Sequence, residues 1–549
     1  MPTAVLQLNP KDNLFVALRD LQQSETVLHG TNTYSLVTNV PAKHKFSAYD
    51  LAVGDPVVMY GVKVGIVVVP IRKGEAITTR NIKHDASEFH DIWQPFNWDP
   101  PDVSRWRTQT FLGYSRSDGQ VGTRNYWLVI PLVFCENRNL MALKQAFEEE
   151  LGFVAPQIYR RHVNSLIRLL QEGDIESIRN FEFSGTSQAR PLAQVFPNVD
   201  GIKFLIHEGG CGGTREDSQN LCGLLAGYLY HPNVAGATVL SLGCQHAQVS
   251  ILKDELNKRA PQFDKPLVIF EQQRFPSENK MLSHAIRETF LGLIEANRAT
   301  RQPASLSSLC VGLKCGGSDG FSGLSANPAI GRVSDILAAL GGRTILSEFP
   351  ELCGVEQELI NRCASEDIAH RFAQLMRDYA ARAKAVRSSF EMNPSPGNIR
   401  DGLLTDAMKS AGAARKGGSS PVTAAIDYPE YSRVPGLNLQ CTPGNDVECV
   451  TAQVGAGANI VLFTTGLGTP TGNPIAPVIK ISTNSQLALR MSDIIDVDTG
   501  GVISGCESFE SAGDEVLAFA LQVASGTVRT KAEILGQNDF IPWKRGISL

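Results

Sequence analysis

Cys135, Cys211, Cys244 and Cys315 occupy one kind of place in the sequence: an apolar run has just ended and a polar or glycine-rich turn begins. The runs are residues 126–134, 202–206, 237–242 and 309–313. If they are strands of an open parallel sheet, their carboxyl ends face one crevice, where such sheets bind ligands. Four thiols brought there from four segments suit iron or an iron–sulfur cluster. Structural zinc favours close CxxC pairs, and the sequence has none. The plain alternative is cysteine as a small buried hydrophobe. The same turns carry the acids Glu136, Glu208, Asp319, Glu348 and Glu351 and the imidazoles His207 and His246. These residue types can move protons or add metal ligands.

The stretch 313–328, LKCGGSDGFSGLSANP, concentrates these groups. Apolar positions at Ile330, Val333, Ile336, Leu337 and Leu340 predict a helix after it. Glycines at such a strand-to-helix turn let backbone N–H groups approach a ligand, and a helix start favours an anion. Gly316–Gly320 is a literal GxSxG, the pattern of a serine nucleophile. A hydrolase of that kind also needs an acid and then a histidine after Ser318. Only His370 comes later in the chain, inside a helical pattern. No GxxxxGK[ST] motif is present, and no GxGxxG comes after the first strand, so nucleotide readings lose support.

The elements that must position these groups fall into four segments. Residues 12–83 alternate short apolar runs with glycine and charged turns, a small β-rich module. Within it His44, flanked by Lys43 and Lys45, suits a carboxylate ligand; a solvated basic turn is the alternative. Residues 84–110 hold Trp93, Trp98, Trp106 and several prolines without periodicity, an extended linker lying against a surface. Residues 111–300 and 305–549 alternate strands and helices, which predicts two α/β domains with largely parallel, Rossmann-like sheets. A chain of 549 residues with 43% hydrophobic and 19% charged residues is ordinary globular material. Its net charge of −5 argues against a nucleic-acid footprint. No apolar run reaches membrane-spanning length, and the N-terminus lacks a signal-peptide pattern, so a cytoplasmic protein without disulfides is expected.

Several motifs together resemble the altronate/galactarate dehydratase family. They are 313–320 with 325–328, 121–125, His207 with 210–211, 242–244, 393–398, 435–438 with 443–446, and 464–470. The N-terminal module, with 44–46, is similar to the SAF (β-clip) domain of that family. Gly320, 350–351, 435–438 and 443–446 resemble the altronate branch. Leu467 stands where the family pattern has arginine, and Glu208 and Gly209 also depart from it.

The resemblance implies a hydro-lyase of sugar-acid catabolism. It would convert D-altronate to 2-dehydro-3-deoxy-D-gluconate, with ferrous iron required and manganese as a substitute. The alternatives are a dehydratase of another sugar acid, galactarate above all, or a related sulfo-lyase. A homodimer acting on a small molecule, away from nucleic acid and membrane, is also implied. His207 is the expected base, with Asp319 and Glu348 as further catalytic acids or ligands. Arg124, Asn125, Lys314, Ser318 and Asn327 are expected to bind substrate, with His44 and Lys45 closing over it as part of a lid. Cys135, Cys211, Cys244 and Cys315 are expected around the metal, as single-ion or cluster ligands.

Overall fold

The computed structural model of the protein describes residues 4–90, 92–153, 158–182 and 194–548. The N-terminal module is built from short antiparallel strands. Val5–Leu6, Leu14–Ala17, Lys45–Ser47 and Ala76–Ile77 form one sheet in that order. Thr26–His29 pairs with Asn32–Ser35, and Pro56–Met59, Val62–Val67 and Ile82–Lys83 form a third sheet. No strand of the module exceeds six residues, because glycine and charged turns interrupt each apolar run.

The linker is extended and held down by its tryptophans. Trp93 Nε1 donates to the Cys363 carbonyl (2.7 Å) and Trp98 Nε1 to Ser419 Oγ (3.2 Å). Trp106 is buried in the C-terminal core.

The middle domain is a four-stranded parallel sheet in the order Gly201–Phe204, Tyr126–Pro131, Val234–Ser241, Leu267–Glu271. Tyr126–Pro131 is buried along its whole length, because helices cover both faces. Asn137–Leu151 and Glu278–Ala296 pack Leu140, Leu143, Met281 and Leu293 on one side. Arg215–Tyr230 and Val249–Arg259 pack Leu221, Leu225 and Leu252 on the other.

Strand Thr110–Ser115 runs antiparallel to Gln302–Ser305, so the chain enters and leaves the middle domain side by side. Gln302–Ser305, at the junction of the two α/β segments, is therefore a strand in its own right.

The C-terminal domain has seven parallel strands. Their order is Val422–Ile426, Gly436–Gln440, Arg343–Leu346, Cys310–Cys315, Ile460–Thr465, Val478–Ser482, Val497–Asp498. The predicted helix is Ala326–Ala339, with Ile330, Val333, Ile336 and Leu337 in the core. The two sheets share apolar packing: Leu221, Leu224 and Tyr228 join Val450, Val461 and Phe463 in one cluster. The expected α/β class and parallel sheets are thus observed. Among the described residues no helix is long and apolar enough to cross a membrane.

Candidate active site

The central strand Cys310–Cys315 delivers Lys314 and Cys315 to its carboxyl end. The adjacent strand Arg343–Leu346 runs into Glu348, whose φ of 68° turns the chain into a short helical turn, Phe349–Leu352, carrying Glu351. Helix Asp406–Ala414 supplies Lys409, and the turn after it, Arg415–Gly417, supplies Lys416. Asp446 opens helix Asp446–Gly455.

These groups interlock. Lys416 Nζ donates to Cys315 Sγ (2.8 Å) and to Glu348 Oε2 (2.6 Å). Lys314 pairs with the other Glu348 oxygen and with Asp446 (2.8 Å). Lys409 pairs with Glu351 Oε1 (2.8 Å), and Cys315 Sγ donates to Glu351 Oε2 (3.5 Å). All are buried except Asp446. The rim is formed by Asp446, Asn393 and Gly444; a Cβ on Gly444 would lie 3.5 Å from Glu351 Oε1.

Three ammonium groups thus face three carboxylates. Burial opposes the charge on Lys314, Lys409 and Lys416, but the neighbouring acids overcome it and hold all three above the ordinary lysine value. Burial also opposes ionisation of Glu351, and Lys409 and Lys314 more than offset it, so its pKa lies below the usual carboxylate range. Burial pushes the Cys315 thiol up to about 12 against the pull of Lys416, so it stays neutral. Asp406, next to this cluster, is pushed up to about 8 by burial and by Glu351. Two neighbouring carboxyls are therefore held in opposite protonation states, the arrangement that acid–base chemistry requires.

Family models match the N-terminal module and both α/β domains. The altronate/galactarate dehydratase SAF domain matches residues 3–85. The D-galactarate dehydratase/altronate hydrolase second domain matches 113–297, and the D-galactarate/altronate dehydratase C-terminal domain matches 306–548. Altronate dehydratases of Bacillus subtilis (strain 168) and Escherichia coli (strain K12) are each 31% identical to this chain, covering 99% of both partners. The galactarate dehydratase (L-threo-forming) of Escherichia coli (strain K12) is 28% identical over 97% of this chain and 95% of its own length.

The chain belongs to the altronate/galactarate dehydratase family. Four of the segments that carry its resemblance to this family meet at the charge cluster: 313–320, 350–351, 393–398 and 443–446 contribute Lys314, Cys315, Glu351, Asn393 and Asp446. The sequence does not point to Lys409 or Lys416. They lie on a helix and its closing turn, outside the motifs named in the sequence.

Several expected site residues are engaged by neighbouring protein groups. His207 is buried beside a cleft of about 630 Å³. Both its nitrogens are used: Nε2 pairs with the Pro131 carbonyl (2.8 Å), and Nδ1 accepts from the Gly209 N–H (3.1 Å). Burial pulls its pKa down to about 4. It is a neutral strut, not a free base.

Asp319 accepts from the Phe321 N–H, Ser322 and Thr483 and pairs with Lys43 (3.0 Å). It anchors the turn, and Gly466 must lack a side chain because a Cβ there would lie 2.3 Å from the Asp319 carboxyl carbon. Arg124 and Asn125 lie at the amino end of strand Tyr126–Pro131, the edge opposite the thiols. Arg124 grips Glu533 with two bonds (2.8 and 3.0 Å), and Asn125 donates to the Asn198 and Ala296 carbonyls. Asn327 is tied to the Gly412 carbonyl and to Thr464, and the Ser318 carbonyl accepts from Asn398.

His44 pairs with the Arg400 carbonyl, and Lys45 donates to the Gly402 and Lys43 carbonyls. Lys45 is buried, while Lys43 and His44 stay partly exposed. The basic turn docks the N-terminal module on residues 398–402, which continue from the Asn393 rim. Ser318 is no hydrolase nucleophile: helix Ala326–Ala339 starts eight residues on, and His370 is a half-exposed helix residue beside Glu366.

The four thiols separate. Cys135, Cys211 and Cys244 are exposed and come after three adjacent strands of the middle sheet, whereas Cys315 is buried in the C-terminal sheet. Cys315 thus belongs to a different sheet from the other three. Among the described residues, the trio with ligand atoms within 4.8 Å of one another is Cys315, Glu348 and Glu351. That trio does not fit a dication. Lysines already hold the carboxylate oxygens, and three ammonium groups stand where a metal's charge would go.

Lys480 is the remaining charge on this face. It lies over the Phe463 ring (4.5 Å to the centroid), and its buried Nζ has no hydrogen-bond partner. Burial pushes its pKa down to about 7, against the pull of Asp496. Below pH 7 the folded and unfolded chains both carry this proton, and the cost of burying it is present in full. Between about pH 7 and 10.5 the unfolded chain binds more protons, so stability rises with pH. Lys480→Met should accordingly raise stability by about 1–4 kcal/mol at pH 7, a gain that shrinks towards pH 10. Thermal melts of both proteins across this range check it; a lower Tm for the variant at pH 7 would contradict the argument.

Proposed function

We propose that the protein dehydrates D-altronate to 2-dehydro-3-deoxy-D-gluconate. The observation that carries this reading is the convergence of the family-like segments on one buried cluster of three lysines, Glu348 and Glu351. The C2 proton of a sugar acid lies α to a carboxylate and is barely acidic. Its removal places charge on the carboxylate, and positive groups fixed in a low-dielectric site stabilise that charge without reorganising. In this reading Lys314, Lys409 and Lys416 hold the substrate carboxylate and the developing enediolate. Glu351, kept ionised, takes the C2 proton. Asp406, kept protonated, gives one to the departing C3 hydroxyl, and the enol left behind becomes the 2-keto product. Leu467 stands where the family pattern has arginine, so this position bears on which sugar acid is preferred.

Iron dependence belongs to the same reading. When bound, iron supplies Lewis-acid stabilisation of the same developing charge. Since the Cys315 trio does not fit it, the ligands are sought on the middle sheet.

The test is an anaerobic assay of iron-supplemented protein on D-altronate and galactarate, monitoring the 2-keto-3-deoxy product. Faster turnover of altronate, lost on chelation, is the expected result. Faster turnover of galactarate, or none of either acid, would overturn the assignment.

A further inference from the structure

We propose that Cys135, Cys211 and Cys244 hold an iron–sulfur cluster at the carboxyl edge of the middle sheet. All eleven cysteines are free, and four are exposed: these three and Cys506. Three of the four exposed thiols therefore stand on neighbouring strands, with the Cys135 strand in the centre.

The loops that carry them are fastened to one another. The Phe134 N–H donates to the Gly209 carbonyl (3.1 Å), and the Ala247 N–H to the Gly210 carbonyl (3.0 Å). Gly210, with φ of 101°, lies so close to the Leu132 carbonyl that a Cβ would come within 2.1 Å of its oxygen. Only glycine allows that approach. The three loops form one rigid rim.

A second observation points to a ligand there. Directly after Cys135, the buried oxygens Glu136 Oε1, Asn137 Oδ1 and Asn139 Oδ1 have no hydrogen-bond partner. Their other side-chain atoms are fixed: Asn139 donates to Glu136 Oε2 (2.8 Å), and Asn137 donates to the His207 carbonyl (2.9 Å). Buried acceptors are rarely left unmet in folded proteins, so three so close together await a metal or a donor. The cleft of about 630 Å³ opens beside them, lined by Asn137, His207, Gly210 and Cys211. Glu448, in the first turn of the helix whose Asp446 holds Lys314, lines its other side.

The thiols are not gathered as a single ion would hold them. One tetrahedral ion draws its thiolates to about 3.8 Å apart, given metal–sulfur bonds near 2.3 Å. The three thiols do not form a trio within 4.8 Å. A cubane places irons and sulfides between its thiolates and tolerates wider spacing. Four-iron clusters commonly take four cysteines, so three would leave one iron without a protein thiolate.

The inference rests on the iron dependence proposed above, and its test counts metal without turnover. Full-length protein is purified anaerobically and reconstituted with ferrous iron and sulfide. About four irons and four acid-labile sulfides per chain are expected, with the visible absorption of a sulfide-bridged cluster. Cys135→Ser, Cys211→Ser and Cys244→Ser should each lose most of the iron, sulfide and absorption while keeping wild-type circular dichroism. Cys315→Ser and Cys506→Ser should keep all three. Iron without sulfide, or full iron and sulfide in the three serine variants, overturns the cluster. Failure to turn over altronate in a sulfide-replete protein would instead reject only the substrate.

Discussion

Lys416→Met lowers kcat on a sugar acid by about 10²–10³-fold and leaves the protein folded. Lys416 donates to both the Cys315 thiol and the Glu348 carboxylate. Its removal takes away a donor aimed at the place where charge develops, and methionine roughly fills the space. Glu348 keeps Lys314, so the remaining carboxylate is not stranded. The check is a kinetic comparison of wild type and variant, with circular dichroism and a thermal melt as controls. A folded variant with unchanged kcat would remove the lysine cluster from the chemistry and move the search for the active centre to the middle-sheet cleft.

Arg124→Ala gives the opposite signature. It costs about 3–5 kcal/mol of stability, because the buried Glu533 loses its bidentate partner. The Thr123 and Val523 carbonyls each lose one donor and keep Arg301 and the Gly526 N–H respectively. Protein that remains folded should keep its wild-type KM, since Arg124 stands at the far edge of the sheet from the cleft. Denaturant titration measures the first effect and steady-state kinetics the second. A raised KM without lost stability would restore Arg124 to the substrate site. Marginal stability of about 5–15 kcal/mol makes such a loss visible as poor folding at higher temperature.

Strand ends were legible in the sequence because buried parallel strands are uninterrupted apolar runs, and the turns directly after them form the ligand edge. That logic named Lys314, Cys315 and Glu348, which the structure brings together. It also placed Cys135, Cys211 and Cys244 correctly at strand ends. It could not tell which sheet each strand joins, so it grouped Cys315 with three thiols of another domain. Nor could it find Lys409 and Lys416, whose helix and turn carry the small and charged residues of an exposed surface. Only the packing of that helix on the turn at 349–352 reveals that they are buried. His207 misled for a related reason: a histidine at a strand end looks available until both its nitrogens are seen to be satisfied by backbone.

The apolar face shared by the two sheets has a consequence for synthesis. Leu221, Leu224 and Tyr228 leave the ribosome well before their partners Val450, Val461 and Phe463. At about 5–20 residues per second, the middle domain waits roughly tens of seconds with that face bare. During this interval the nascent chain presents a ready surface for chaperones and for neighbouring copies of itself. Slower, cooler expression or added holdase capacity should therefore raise the yield of soluble enzyme more than any change to its active centre.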